Sequence, residues 1–135
     1  MSSAGLHVIM DAYVSDPSVF TRDRIEHLFA QLVLALEMQA LDKPQVYEVP
    51  VDPETLKRVL ETGKFEDEGG ITAVQVISTS HLSLHAWPLQ SFFSLDVFSC
   101  CDFNESLALS IVRETLGVVS ENTTVVRRLK PNRPG

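Results

Sequence analysis

The chain has 135 residues, 44% of them hydrophobic, and a formal net charge of −7. That length suits one domain with a two-layer core, and the apolar share excludes a disordered chain. The acidic balance argues against nucleic-acid binding, and no apolar run is long enough to span a bilayer.

The opening Met1-Ser2-Ser3-Ala4-Gly5 lacks the basic and apolar regions of a signal peptide, so the expected compartment is the cytoplasm. Leu6 to Val14 reads as a strand that breaks at Ser15-Asp16-Pro17. From Asp23 to Ala40 the spacing predicts an amphipathic helix. Ile25, Leu28, Phe29, Leu32 and Leu36 line its apolar stripe, and Thr21 is placed to cap it. A second strand is expected over Gln45 to Val51.

Pro53 to Thr62 reads as a short helix. Asp52 serves as N-cap, Pro53 takes the first helical position and Gly63 follows the end. Glu66-Asp67-Glu68-Gly69-Gly70 is an acidic loop, and Ile71 to Ser78 a third strand. A hairpin comes next: His81 to Ala86 runs out, Trp87 to Ser91 turns, and Phe92 to Cys100 runs back. Asn104 caps a helix that ends at Leu116 before Gly117. Thr123 to Leu129 is the last strand. Residues 130–135 form a tail, and Arg127, Arg128, Lys130 and Arg133 make this end basic, as a solvated terminus. The order predicts an α+β two-layer sandwich: an antiparallel sheet with two main helices packed on one face.

In the hairpin, alternation puts His81, Ser83 and His85 on one face and Leu82 and Leu84 on the other. The polar face is where a site is expected. Antiparallel pairing brings Cys100 back toward Ser80. Cys100 and Cys101 are the only cysteines. Their Cα atoms lie about 3.8 Å apart, below the range of a relaxed disulfide, so reduced thiols are expected, on opposite strand faces. No cysteine or histidine spacing predicts a metal site.

The run Thr79-Ser80-His81-Leu82-Ser83-Leu84-His85-Ala86-Trp87-Pro88, followed by Asp96-Val97-Phe98-Ser99-Cys100, resembles the processing site of the small prokaryotic S-adenosylmethionine decarboxylases. Their pattern runs roughly Glu-Ser-His-x-x-x-His-Thr-Trp-Pro-Glu, then Asp-Val-Phe-Thr-Cys-Gly. Gly5-x-His7 through Asp11 and Tyr13 is similar to the family's first strand, with Val14 in place of its glycine. The resemblance covers nearly the whole chain as one domain, 1–135; the helix-bearing segment 53–65 reads as an insertion.

The resemblance implies a proenzyme that cuts itself between Thr79 and Ser80, leaving a pyruvoyl group derived from Ser80 as cofactor, with no metal. Such a group condenses with a substrate amine and drains electrons from the breaking carboxylate bond. It further implies that Thr72 and His85 assist processing, that Cys100 is the catalytic proton donor, and that Phe65 and Trp87 bind adenine between them. The implied substrate is S-adenosylmethionine, for polyamine (spermidine) synthesis, and the implied assembly a homodimer or larger. Two family carboxylates are missing. Thr79 replaces one before the serine, where only the carbonyl reacts. Leu89 replaces the one read as accepting from the ribose diol; Asp96 or the 53–65 segment are candidate substitutes. Two alternatives therefore stay open: a pyruvoyl decarboxylase of another amino acid, and an unprocessed, non-catalytic paralogue acting as a partner. For each role there is a plainer one. A tryptophan before proline is most often a packed turn, and a strand-end cysteine a small buried hydrophobe.

Overall fold

The computed structural model describes residues 1–135. Six strands form one antiparallel sheet: β1 (Ser3–Val14), β2 (Gln45–Val49), β3 (Gly70–Ile77), β4 (Ser80–Trp87), β5 (Phe92–Ser99) and β6 (Val118–Leu129). Their spatial order is β2-β3-β4-β5-β1-β6. Three helices accompany them: α1 (Arg22–Ala35), α2 (Pro53–Thr62) and α3 (Glu105–Leu116). The α+β architecture agrees with the sequence reading.

Strand alternation decides the two faces of the sheet. Val8, Met10 and Ala12 of β1, Leu82 and Leu84 of β4, and Phe93, Leu95 and Val97 of β5 point to one side. There they join Ile25, Leu28, Phe29 and Leu32 of α1 and Ala108, Val112 and Leu116 of α3 in one continuous core. The opposite face carries no such layer. It presents His7, Asp11, Thr72, His81, His85, Ser94, Asp96 and Phe98, which sit in register across adjacent strands.

The caps follow the chemistry read from the sequence. Thr21 Oγ1 accepts from Arg24 N, Asp52 Oδ1 from Glu54 N, and Asn104 Oδ1 from Leu107 N. Each satisfies an amide that the first helical turn leaves without a partner. Gly63 and Gly117 end α2 and α3 in the left-handed conformation.

Two boundaries differ from expectation. The helix expected to reach Ala40 ends at Ala35. Glu37 takes φ 56, and Met38 N donates back to Val33 O. The chain then lies along the end of β3, where Leu41 N donates to Val76 O and Ser78 N to Gln39 O. Pairing with the sheet outweighs the helical pattern of that stretch. The last strand starts at Val118, not Thr123. Ser120, Glu121 and Asn122 lack strand-favouring side chains, yet their backbone pairs with Tyr13, Ala12 and Asp11. No helix is long and apolar enough to cross a membrane.

Candidate active site

The sequence-predicted residues fall into two groups at opposite ends of β4. At the first end, Ser78 and Thr79 form the tight turn between β3 and β4. Thr79 has φ 55, a conformation that a β-branched residue adopts only under strain of roughly 1–3 kcal/mol. Ser80 follows as the first residue of β4 and is buried. Its Oγ accepts a 2.8 Å hydrogen bond from Cys100 N. The Cys100 sulfur lies 3.0 Å from Thr79 Oγ1. The twenty-residue separation of Ser80 and Cys100 is thus closed by the hairpin, as its register predicts.

Gly5 makes this closeness possible. A Cβ there would collide with Ser99 O and stand 2.9 Å from Cys100 Cα, and its φ of 120 favours glycine. The cleft at this end holds about 250 Å³ and is walled by Thr79, Cys100, Cys101, Met38 and Phe103.

Cys100 and Cys101 correct one expectation. β5 ends at Ser99, so strand alternation does not separate the two thiols. Their sulfurs are 3.7 Å apart, and both are free and exposed. The hydrogen bond with Thr79, then those with Ser80 and Cys101, hold the Cys100 thiol below its ordinary value. The Cys101 thiol is raised by its hydrogen bond with Cys100 and by the charge there. Of the pair, Cys100 ionises first.

At the other end, Thr72 and His85 face each other across β3 and β4, with Oγ1 and Nδ1 3.1 Å apart. With Nδ1 engaged by Thr72, Nε2 is the nitrogen free to move a proton. Trp87 and Phe65 also meet here. Their rings touch edge to face, centroids 5.0 Å apart, and Phe92 closes on both. An aromatic ligand between two rings needs them about 7 Å apart, two contact distances. The slot implied by the sequence is therefore closed, and Phe65, 55% exposed, is the ring free to swing aside. Thr72, His85 and Trp87 line a cleft of about 70 Å³.

The two groups do not meet within one chain. Ser80 and His85 are five residues apart on an extended strand, about 16 Å. Their parity differs too. Ser80 points with Leu82 toward the helices, and His85 points to the open face.

Sequence reading missed the role of the acidic loop. Asp67 Oδ1 accepts from Trp87 Nε1 at 3.0 Å and from Gly69 N. Glu68 is fully buried, and both of its oxygens accept from Gln90 Nε2. Three carboxylates directly after an aromatic residue were the available signal. Leu89, in the short 3₁₀ turn Pro88–Gln90, is half-exposed and does not line the cleft. The largest hollow, about 840 Å³, lies between α1 and the Ala40–Pro44 segment and holds none of the sequence-predicted site residues.

The model of the S-adenosylmethionine decarboxylase family matches residues 6–129. The chain is similar to the S-adenosylmethionine decarboxylase proenzyme of Clostridium tetani, 32% identical over 108 residues that cover 76% of this chain and 84% of that one. It is also similar to the protein of the same name from Pyrobaculum neutrophilum, 40% identical over 45 residues. That match spans 33% of this chain and 36% of the relative, and two further curated matches span half or less of the relatives' length. The fold matches the adenosylmethionine decarboxylase of Aquifex aeolicus with a TM-score of 0.72 and 20% identity, covering 100% of this chain and 99% of that one.

Proposed function

The chain belongs to the S-adenosylmethionine decarboxylase family, and from that premise we propose that it is a proenzyme that cuts itself at Thr79/Ser80 and then decarboxylates S-adenosylmethionine for spermidine synthesis. The observation that carries this reading is the strained Thr79 turn set directly before Ser80, with Cys100 on both residues.

In processing, Ser80 Oγ attacks the Thr79 carbonyl, and the amide becomes an ester. Left-handed Thr79 favours the step because rearrangement of this peptide relieves its strain. A base then takes the Ser80 Cα proton, and the Thr79 carboxylate leaves. The dehydroalanine that remains loses its nitrogen to water as ammonia, giving the pyruvoyl cap of the 80–135 chain. We assign the base to His85 through Nε2, oriented by Thr72 at Nδ1.

The residues at the Ser80 end fit the cofactor. The serine begins a strand, a backbone amide is aimed at its Oγ, and a thiol stands beside it. Once formed, the pyruvoyl group supplies the electron sink for loss of the carboxylate. Cys100, the more acidic of the two thiols, is assigned to return a proton to the product carbon. Phe65 and Trp87 are assigned to hold the adenine once Phe65 swings outward.

Because Ser80 and His85 stand about 16 Å apart on opposite faces, a site that uses both is completed by a second copy. We therefore propose a homodimer, with the open sheet face as the shared surface. It carries His7–Asp96 and Ser94–Asp11 pairs at 2.9 and 2.5 Å, beside exposed Val76, Val126 and Tyr13.

Denaturing mass analysis tests the reading. Wild type should yield two chains divided at Thr79/Ser80, the second with a ketoacyl terminus. Ser80→Ala should remain whole. A wild type that stays uncut after long incubation at neutral pH contradicts the proposal.

A further inference from the structure

Resting on that reading, we propose that Asp67 is the specificity-determining residue for a nucleoside diol, accepting the ribose hydroxyls of the substrate. A ligand stacked on Trp87 carries its sugar beside that ring, and two hydroxyls entering a cleft need acceptors there. Leu89 offers none and faces solvent.

The nearby carboxylates narrow to one. Glu68 is sealed in the protein with both oxygens on Gln90. Glu66 is tied to Arg58 by both oxygens. Asp96 is bound to His7 and lies beside Ser83, four residues along β4 from Trp87, about 13 Å away. Asp67 alone borders the cleft with Thr72, His85 and Trp87. Trp87 Nε1 and Gly69 N occupy its Oδ1, while Oδ2 makes no hydrogen bond. The indole also orients the carboxylate, so its free oxygen is held at the edge of the ring on which the base stacks. Bonds to a charged acceptor are the stronger kind.

The test is calorimetric titration with 5′-methylthioadenosine, which has the diol but no carboxylate to lose, and with its 2′,3′-dideoxy counterpart. Wild type should prefer the diol. Asp67→Asn, which keeps an oxygen for Trp87, should lose about tenfold in affinity for the diol and nothing for the dideoxy compound. Unchanged diol affinity in Asp67→Asn overturns the assignment. So does an equal loss on both ligands, since that marks a residue that only steadies Trp87. A wild type that releases carbon dioxide from S-adenosylmethionine while Asp67→Asn binds normally sinks this assignment alone. A wild type that neither binds the nucleoside nor decarboxylates S-adenosylmethionine removes the reading beneath it, and the assignment with it.

Discussion

Thr79 and Cys100 concentrate the local chemistry. Thr79 is β-branched and left-handed, and left-handed backbone costs an L-residue about 1–2 kcal/mol. Glycine adopts that conformation freely. Thr79→Gly should therefore raise the urea midpoint when made in Ser80→Ala protein, where no cleavage intervenes. In the otherwise native chain it should slow self-cleavage, followed by the time course of the two fragments. A faster cut would mean that strain at this turn plays no part. The two thiols differ in acidity for a reason on the same residues: Thr79 and Cys101 hydrogen-bond the Cys100 sulfur, the Ser80 hydroxyl beside it adds to the lowering, and the charge there opposes ionisation of Cys101. As pH rises, the Cys100 thiolate forms first. Iodoacetamide should label Cys100 ahead of Cys101 throughout the neutral range, read by peptide mass. Cys100→Ala should abolish clean turnover of the processed enzyme and Cys101→Ala should leave most of it. Equal losses would undo the assignment.

At the scale of elements, the fold depends on one close approach between β1 and the end of β5. Gly5 sits against Ser99 O, and a Cβ there would run into backbone that cannot swing away. Gly63, which ends α2 with φ 68, has open space on that side, with nothing within 4 Å of where a methyl group would stand. Both positions penalise alanine for backbone conformation, but only Gly5 adds a collision. Gly5→Ala should lower stability by more than about 1 kcal/mol, and by more than Gly63→Ala, in urea denaturation. It should also push Cys100 away from Ser80 and so slow processing. Equal destabilisation by the two substitutions would show that the β1–β5 approach tolerates a side chain. The same elements show why boundaries escaped the sequence. Helical periodicity continues past Ala35, but Gln39 and Leu41 find backbone partners on Ser78 and Val76. Ser120 to Asn122 has little strand propensity, but β1 offers it paired backbone at Tyr13, Ala12 and Asp11. In each case a partner distant in sequence overrode the local preference.

The whole molecule places Ser80 and His85, the proposed nucleophile and base, at different ends of β4 and on different faces. If a second copy supplies the base, inactive variants should complement one another. Ser80→Ala lacks the hydroxyl and His85→Ala lacks the imidazole. Co-expressed, they form mixed dimers in which the intact serine of one chain meets the intact histidine of the other. The His85→Ala chain should then be cut, and the Ser80→Ala chain should stay whole, as read by mass. Neither should be cut when expressed alone. Failure to complement, with mixed dimers present by sedimentation, would mean that His85 serves its own chain or does not serve processing.

The sequence by itself determined what depends on neighbours along the chain. Strand and helix identities, the caps at Thr21, Asp52 and Asn104, and the approach of Cys100 to Ser80 across one hairpin all follow from spacing and local hydrogen bonding. Only the tertiary structure decided the rest. It set β1 between β5 and β6, turned Asp67 onto Trp87, and closed Phe65 against that ring. The physical reason is the range of the forces. Alternation and capping are settled by a few adjacent residues, whereas strand order and loop docking are the sum of many weak contacts between segments far apart in sequence.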